Sequence, residues 1–152
     1  MKQIYMLITA SILVGGCSKE YQIFRKEDKL TGAWEFEKAF YKRDGAIFRD
    51  DVTSDFNNDV IEFHPDYSAV YDDYSVKALF DGWWDIKVDD DHYYNADGGS
   101  SELEFFLDIC FDDYIHREEF CYFGSITRLT REKLHFKAHD RRGVFTFKLR
   151  RL

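Results

Sequence analysis

Histidine, carboxylate and cysteine side chains are the candidate metal-binding, catalytic and disulfide-forming groups in this sequence. His135 and His139 stand four residues apart in a segment with strand-like alternation. Residues in a strand rise by about 3.3 Å each, so these two imidazoles lie about 13 Å apart and cannot ligate the same metal ion. We therefore expect no metal site at the histidines.

Runs of aspartate are the second candidate, because Ca²⁺ takes several oxygen ligands. Adjacent carboxylates on a strand point to opposite faces, and no run has the spacing of an EF-hand loop. The best remaining segment is residues 89–97, where a loop could bring side chains together. We interpret these residues as solvated turn charges and predict no bound metal.

Arrangements for nucleophilic catalysis are not evident. The sequence has no Gly-x-Ser-x-Gly elbow and places no serine or cysteine beside a recognisable base. The 29 Asp and Glu residues offer many carboxylate pairs of the glycosidase type, whose separations the sequence does not give. We predict no catalytic residues, no cofactor and no enzyme activity.

Cys110 and Cys121 flank a short acidic segment, and a hairpin there would bring them roughly opposite one another. Outside the cytoplasm, such a pair can form a disulfide. The other interpretation is two separate thiols that act as small apolar residues. Both interpretations remain open at the level of the sequence.

Residues 1–16 have the pattern of a signal peptide. Lys2 supplies a positive charge, and residues 4–14 form an apolar run that is shorter than the about 20 residues of a membrane-spanning helix. Residues 14–17 (Val-Gly-Gly-Cys) resemble a bacterial lipobox, which implies cleavage before Cys17 and acyl chains on its thiol and amino group. Two or more acyl chains anchor a protein stably, so we expect membrane attachment through Cys17. The alternative is an uncleaved buried helix with an incidental cysteine.

The rest of the chain divides into a polar segment and a β-rich domain. Residues 17–29 lack strong periodicity and are interpreted as a tether. Residues 30–152 alternate with a period of two and are rich in Phe and Tyr, which is typical of strands. Asp-Gly pairs at 44–45 and 81–82 predict turns, and residues 46–52 are expected to form a second strand. We predict an all-β domain: an antiparallel up-and-down meander of eight or nine strands, closed into a barrel that removes exposed edges.

The charge balance restricts the partners. Lys and Arg total 21 against 29 Asp and Glu, which gives a formal net charge of -8. Such a surface repels phosphate backbones, so we expect no nucleic-acid partner.

Five segments together resemble the lipocalin-like lipoproteins of Bacteroidetes-type bacteria. They are residues 30–34, 61–63, 82–86, 126–136 and 145–149, with Gly-x-Trp in the first and Thr-Phe-Lys-Leu in the last. The resemblance covers about 120 residues and depends on the order and spacing of these five segments, which are separated by short turns. It implies a lipocalin-like barrel of the kind that can hold one small ligand.

The resemblance also implies a role for Gly32, Trp34 and Arg151. In lipocalins the Gly-x-Trp strand closes one end of the barrel, and a basic side chain from a late strand packs over the indole. Arg151 shares strand parity with Phe147, so it could cap Trp34 through a cation-π contact. The alternative is that Arg151 frays into solvent at the chain terminus.

Two functions are consistent with this sequence. The leading hypothesis is a lipid-anchored lipoprotein of the bacterial cell envelope, at the outer membrane and facing the periplasm or the surface, whose barrel binds a small apolar ligand. The second is a structural or interaction lipoprotein with a filled barrel, whose exposed Trp83 and Phe106 contact another envelope protein. The candidate interior residues, as packed core or ligand lining, are Trp34, Phe36, Ile61, Phe63, Trp84, Ile86, Leu103, Phe105, Leu107, Phe136 and Phe147.

Overall fold

The computed structural model describes residues 19–89 and 103–152. One helix, α1 (Lys19–Leu30), precedes the strands, and a 3-10 turn covers Thr53–Phe56. The strands are β1 (Gly32–Arg43), β2 (Asp50–Asp51), β3 (Val60–Phe63), β4 (Ser68–Asp73), β5 (Ala78–Asp89), β6 (Glu104–Asp113), β7 (Glu118–Leu129), β8 (Lys133–His139) and β9 (Gly143–Arg151).

These strands form a closed antiparallel barrel. Each strand from β3 to β9 pairs with the next along the chain, and β9 returns to pair with β1 along most of its length. The result is an eight-stranded closed barrel with β2 as one extra strand, which confirms the predicted up-and-down meander. β2 and β3 share one edge of β1, because β3 pairs with its first residues and β2 with Phe40 and Tyr41.

The two ends of the barrel differ. One end, which we call the helix end, holds α1, the start of β1 and the last residues of β9. The other, the hairpin end, holds the connections at residues 44–59, 74–77, 114–117 and 140–142. The up-and-down order places every second connection at the same end.

The segment predicted as a tether is mostly helical. Residues 19–30 form α1, whose last residue Leu30 is buried against the barrel, and Ile23 packs on the same core. The tether prediction is therefore wrong for these residues, because tertiary contacts stabilise a helix that the sequence periodicity does not reveal. The predicted signal peptide and Cys17 lie outside the described residues.

Two predicted features of the first strands also differ. The predicted second strand over residues 46–52 is reduced to the two residues of β2. Asp81 and Gly82 lie inside β5, and the turn before that strand is at residues 74–77. A Cβ on Gly82 would lie 2.0 Å from the Cys110 carbonyl oxygen, so this glycine permits a close approach of two strands rather than a turn.

The barrel interior contains the residues that the alternation predicts. Ten of the predicted interior side chains are buried, and Leu103 is partly buried against them. The core also includes further aromatic and aliphatic residues on the same inward faces. Among the described residues, no helix is long and apolar enough to cross a bilayer.

Candidate functional site

Trp34 and Arg151 close the helix end. The indole is fully buried, its Nε1 donates a hydrogen bond to the Leu30 carbonyl at 2.6 Å, and the Arg151 guanidinium lies 4.5 Å from the ring. The same guanidinium donates to the backbone carbonyls of Thr31 at 2.8 Å, Lys29 and Arg131. Arg151 is therefore fixed over the indole, and the prediction of a cation-π cap is confirmed.

Gly32 makes room for this cap. Its φ of +126° is accessible to glycine and strained for other residues, and a Cβ there would lie 2.4 Å from Arg151 Nη1. The Gly-x-Trp pattern is thus explained by two contacts, a buried indole and the guanidinium above it.

Aromatic rings occupy the barrel interior from the middle toward the hairpin end. Phe56, carried by the 3-10 turn, inserts among the strands with its ring 5.0 Å from Phe36 and 5.2 Å from Phe147. The ring centroids of Tyr122 and Phe147 lie 5.3 Å apart. These ring-to-ring distances are those of packed aromatic pairs, so side chains fill this part of the interior.

Asp59 is the buried acidic residue at the edge of this aromatic group. The residue is fully buried, its carboxylate accepts hydrogen bonds from the Tyr71 hydroxyl and from the Tyr74 amide at 3.0 Å, and the Asp59 carbonyl accepts from Phe36 N at 3.2 Å. These bonds fasten the end of the long 44–59 connection, which also carries Phe56, to β4 and β1. Sequence reasoning did not single out Asp59.

Burial shifts the pKa values of Asp59 and of the two tyrosines near it. Burial raises the pKa of the Asp59 carboxyl, although the hydrogen bonds from Tyr71 and Tyr74 oppose that rise. Burial and the Asp59 carboxylate raise the pKa of Tyr71, and burial followed by Asp59 raises the pKa of Tyr122 to about 12. Both tyrosines therefore remain neutral at physiological pH, and Tyr71 can donate to Asp59.

Replacing Asp59 with asparagine should change how stability depends on pH. A carboxyl with a raised pKa in the folded state contributes stability that is fully present below its ordinary pKa of about 3.9 and is lost as pH rises through the raised value. The substituted asparagine keeps two polar contacts, because its Oδ1 can accept from Tyr74 N and its amide can donate to the Tyr71 oxygen. Relative to the wild type, Asp59→Asn should therefore gain unfolding free energy as pH is raised from about 4 to about 7, measured by urea denaturation.

Asp51→Asn is the matched control with the opposite sign. Hydrogen bonds from Thr53 lower the pKa of the exposed Asp51 carboxyl, so its contribution is present above the ordinary value and lost as pH falls. This variant should lose unfolding free energy relative to the wild type as pH rises. The same pH trend in both variants would contradict a specific effect of burial at Asp59.

The two cysteines of the hairpin are joined. Cys110 on β6 and Cys121 on β7 are directly opposite partners and form a disulfide. This resolves the alternative of two separate thiols in favour of the bond. Cys110 is buried, whereas Cys121 is exposed on the outer surface.

Removing the disulfide should destabilise the barrel by about 2 to 3 kcal/mol, because the bond closes a short loop in the unfolded chain. The sequence separation is 11 residues. Urea denaturation of Cys110→Ser/Cys121→Ser against the wild type gives the difference, and thiol counting on the unreduced wild-type domain should find neither cysteine free. Two reactive thiols in the folded wild type would contradict the bond.

An exposed aromatic patch surrounds this disulfide on the outer surface of β5 to β7. We define the aromatic patch as Trp83, Phe106, Phe123 and the disulfide. Trp83 is directly opposite Cys110, and the rings of Phe106 and Phe123 stack with centroids 5.5 Å apart. Trp83 is 44% exposed and Phe123 is 45% exposed. The prediction that Trp83 and Phe106 point outward is thus confirmed, and Phe123 is the member that sequence reasoning missed.

The surroundings of the aromatic patch are acidic. Lys87 forms an ion pair with Asp108 and lies 5.9 Å from the Phe123 ring centroid, so its charge is already paired. On the β8 side, His139 is opposite Phe123 and Lys137 is opposite Ser125. The other outward-facing charged side chains around the patch on β4 to β7 are acidic: Asp72, Asp81, Asp85, Asp112 and Glu119. On β4 to β7, the aromatic patch therefore has an apolar centre and an acidic rim.

The candidate metal ligands do not form a credible site among residues 19–89 and 103–152. The cluster of potential ligands found there combines Glu119 with Cys110 and Cys121, whose sulfurs are already bonded to each other. His135 and His139 both face outward from β8, at different heights on the barrel. Apart from Asp89, the last residue of β5, the acidic segment 89–97 lies outside the described residues.

No protein family, curated protein or solved structure matches the chain. The geometry of the chain itself therefore carries the functional argument.

Proposed function

We propose that this protein is a lipid-anchored lipoprotein of the bacterial cell envelope whose filled barrel presents the aromatic patch to a partner protein. The observation that carries the proposal is the distribution of aromatic side chains. They pack ring against ring inside the barrel and are exposed together at Trp83 and Phe123 outside it.

The filled interior argues against a small apolar ligand in the barrel. Phe56 enters from the hairpin end and stacks on Phe36. Trp34 and Leu30 pack at the helix end, beside a surface groove that Leu103 and Phe105 line. A ligand between the strands would have to displace these rings, whose contacts stabilise the fold. The packing therefore favours a lipoprotein that binds a partner protein over one whose barrel carries a small ligand.

The aromatic patch has the composition of a binding site for protein. Tryptophan and other aromatic side chains supply much of the binding energy at protein interfaces, particularly at the centre of a patch. The acidic rim favours a partner whose apolar contact is bordered by lysine and arginine, since complementary charge speeds association and rejects other surfaces. We therefore propose a basic protein surface as the occupant.

Attachment to the membrane rests on the first 17 residues. A charged start, a short apolar run and a small-residue approach to Cys17 support export and acylation, with the barrel on the periplasmic or outer side. The proposal includes no catalytic role, because the barrel offers a binding surface and a packed core.

Mass spectrometry of the protein extracted from membranes in mild detergent tests the anchor and the filled barrel together. The expected mass is that of a chain beginning at Cys17 with its acyl groups, with no retained small molecule under native conditions. Cys17→Ala should release the protein from the membrane fraction. A retained apolar molecule would overturn the filled barrel, and an unmodified Cys17 would overturn the anchor.

Site-specific photocrosslinking in the cells that make the protein tests the aromatic patch. A photoreactive phenylalanine analogue at Phe123 should give one discrete protein adduct, which Trp83→Asp should abolish. The matched control places the same analogue at Lys42, an exposed position on β1, which pairs with none of the strands β5 to β7 that carry the patch. Equal adducts from both positions, or none from Phe123, would contradict a partner at the patch.

A further inference from the structure

A row of cationic side chains crosses four adjacent strands, β7, β8, β9 and β1. Arg128 on β7 lies opposite His135 on β8, His135 lies opposite Lys148 on β9, and Lys148 lies opposite Lys38 on β1. We call these four residues the cationic row. They lie side by side on four adjacent strands.

In the free protein, the like charges of the cationic row repel one another and destabilise the fold. Residues directly opposite in antiparallel strands have Cβ atoms about 4.5 to 5.5 Å apart, and like charges at that spacing are destabilising. Burial lowers the pKa of His135, and the neighbouring Lys148, Arg128 and Lys133 lower it further, while Glu37 opposes them. The neutral imidazole relieves part of the repulsion.

Among the described residues, the cations of the row form no ion pair with a carboxylate. Lys38 interacts at longer range with Asp51, whose pKa it lowers, and Lys148 Nζ lies 5.9 Å from the Phe40 ring centroid. The nearby Lys133 and Arg150 form ion pairs with Glu37 and Glu35. Over residues 19–89 and 103–152, no carboxylate lies within ion-pair distance of Arg128, Lys148 or Lys38. Their charge therefore remains available to an external anion.

The first half of α1 lies over the helix end of β6 and β7. Gln22 and Lys26 line a groove together with Phe105 of β6 and Thr127 of β7, and Thr127 immediately precedes Arg128, the β7 member of the row. Lys19, the first helical residue, follows Cys17 by two positions, a span of at most about 7 Å in extended chain. An acylated Cys17 would therefore hold the Arg128 end of the cationic row close to the bilayer.

We propose that the cationic row lies against the anionic phosphate headgroups of the bilayer to which Cys17 is attached. This inference rests on the lipid attachment proposed above. Lys148 and His135 form the centre of the contact, and the long aliphatic stems of Arg128 and Lys38 let their charges reach the same surface.

This orientation on the bilayer agrees with the uneven distribution of charge over the barrel surface. With the cationic row on the bilayer, the strands that carry Asp72, Asp81 and Trp83 turn away from the anionic headgroups. The aromatic patch then remains open to a partner. A barrel rotated the other way would bring its acidic side against lipid phosphates, which repel it.

Vesicle binding of a chain that begins at residue 17 and carries Cys17→Ser tests the proposal without any lipid anchor. This chain retains every described element, and its result does not depend on whether Cys17 is acylated or whether a partner exists. At low ionic strength it should bind vesicles of phosphatidylglycerol and phosphatidylcholine more tightly than vesicles of phosphatidylcholine alone. Added salt should weaken the binding, because exposed charges are screened.

Arg128→Gln/Lys148→Gln should weaken binding to the phosphatidylglycerol vesicles about twenty-fivefold, at about fivefold for each cation removed. Lys77→Gln/Arg117→Gln is the matched control, since it removes the same charge from exposed hairpins at the hairpin end. This control should bind nearly as the parent chain does. Removing like charges should also leave the melting temperature of Arg128→Gln/Lys148→Gln unchanged or higher, which shows that it folds.

Two results would overturn the proposal. One is an absence of preference for phosphatidylglycerol in the parent chain. The other is an equal loss of binding in the two double variants, which would assign binding to net charge alone. Failure of acylation at Cys17 would instead appear in the mass measurement described above, so the two failures are distinguishable.

Discussion

Trp34→Ala should lower the unfolding free energy by about 4 kcal/mol, because truncating a fully buried tryptophan removes apolar contacts and leaves a cavity. The loss extends beyond the ring. The Leu30 carbonyl loses the hydrogen bond from Nε1, and the Arg151 guanidinium loses the aromatic surface that it covers. The connection between α1 and the barrel depends on both contacts, so the helix should also lose protection.

Urea denaturation measures the first effect, and amide hydrogen exchange over Lys19–Leu30 measures the second. Trp83→Ala is the matched control, because it removes the same side chain from a position that is 44% exposed. We expect that control to change the unfolding free energy by less than about 1 kcal/mol. Similar losses in the two variants would contradict a specific role for Trp34 as the closure of the helix end.

Gly124→Ala should cost more than about 3 kcal/mol, because the added methyl group has no space between two paired strands. A Cβ on Gly124 would lie 1.9 Å from the Lys137 carbonyl oxygen and 2.6 Å from Ala138 Cα. Both are backbone atoms, so no side-chain rotation relieves the clash. The β7 and β8 strands would have to separate where they are hydrogen-bonded.

Gly45→Asn is the control for replacement of a glycine in general. Its φ of +74° lies in the left-handed region that asparagine tolerates, and nothing lies within 4 Å of an added Cβ. Thermal denaturation should show a large decrease in melting temperature for Gly124→Ala and a small change for Gly45→Asn. If Gly124→Ala melted with the wild type, the close approach of β7 and β8 at this position would be refuted.

The strands were predictable because alternation and turn chemistry are local signals. The inward stripe of Trp84 and Ile86 on β5, or of Phe105 and Leu107 on β6, follows directly from a period of two. Closure into a barrel followed from the number of strands and their short connections. The pairing of Arg151 with Trp34 was predictable in part, since strand parity set the direction of the side chain.

The helix α1 was not predictable by the same means. It buries Leu30 and part of Ile23, whereas its other large apolar residues, Tyr21 and Phe24, are exposed at 44% and 63%. So few inward positions do not produce a helical pattern in a charged segment. Contacts with the barrel, such as Lys26 Nζ at 4.8 Å from the Phe105 ring, hold it in place.

Asp59 and the cationic row depend on relations between distant parts of the chain. An aspartate in an acid-rich sequence carries no local mark of burial, and its partners Tyr71 and Tyr74 lie on the next hairpin. The row requires the register of four strands, including the bulges at Phe36/Lys38 and Ile126/Arg128. A bulge changes which residues stand opposite, so no count along the sequence predicts that row.

The seam between the first and last strands has a consequence for the order of folding. Arg151 contacts Thr31 across a sequence separation of 120 residues, whereas Cys110 and Cys121 are separated by 11. Short hairpins form early because their loops close at low entropic cost, and distant strands pair later. A nascent or truncated chain that ends before β9 leaves β1 and β8 unpaired along one edge, where other chains can add. The cystine in the β6 and β7 hairpin can already be in place when the barrel finally closes.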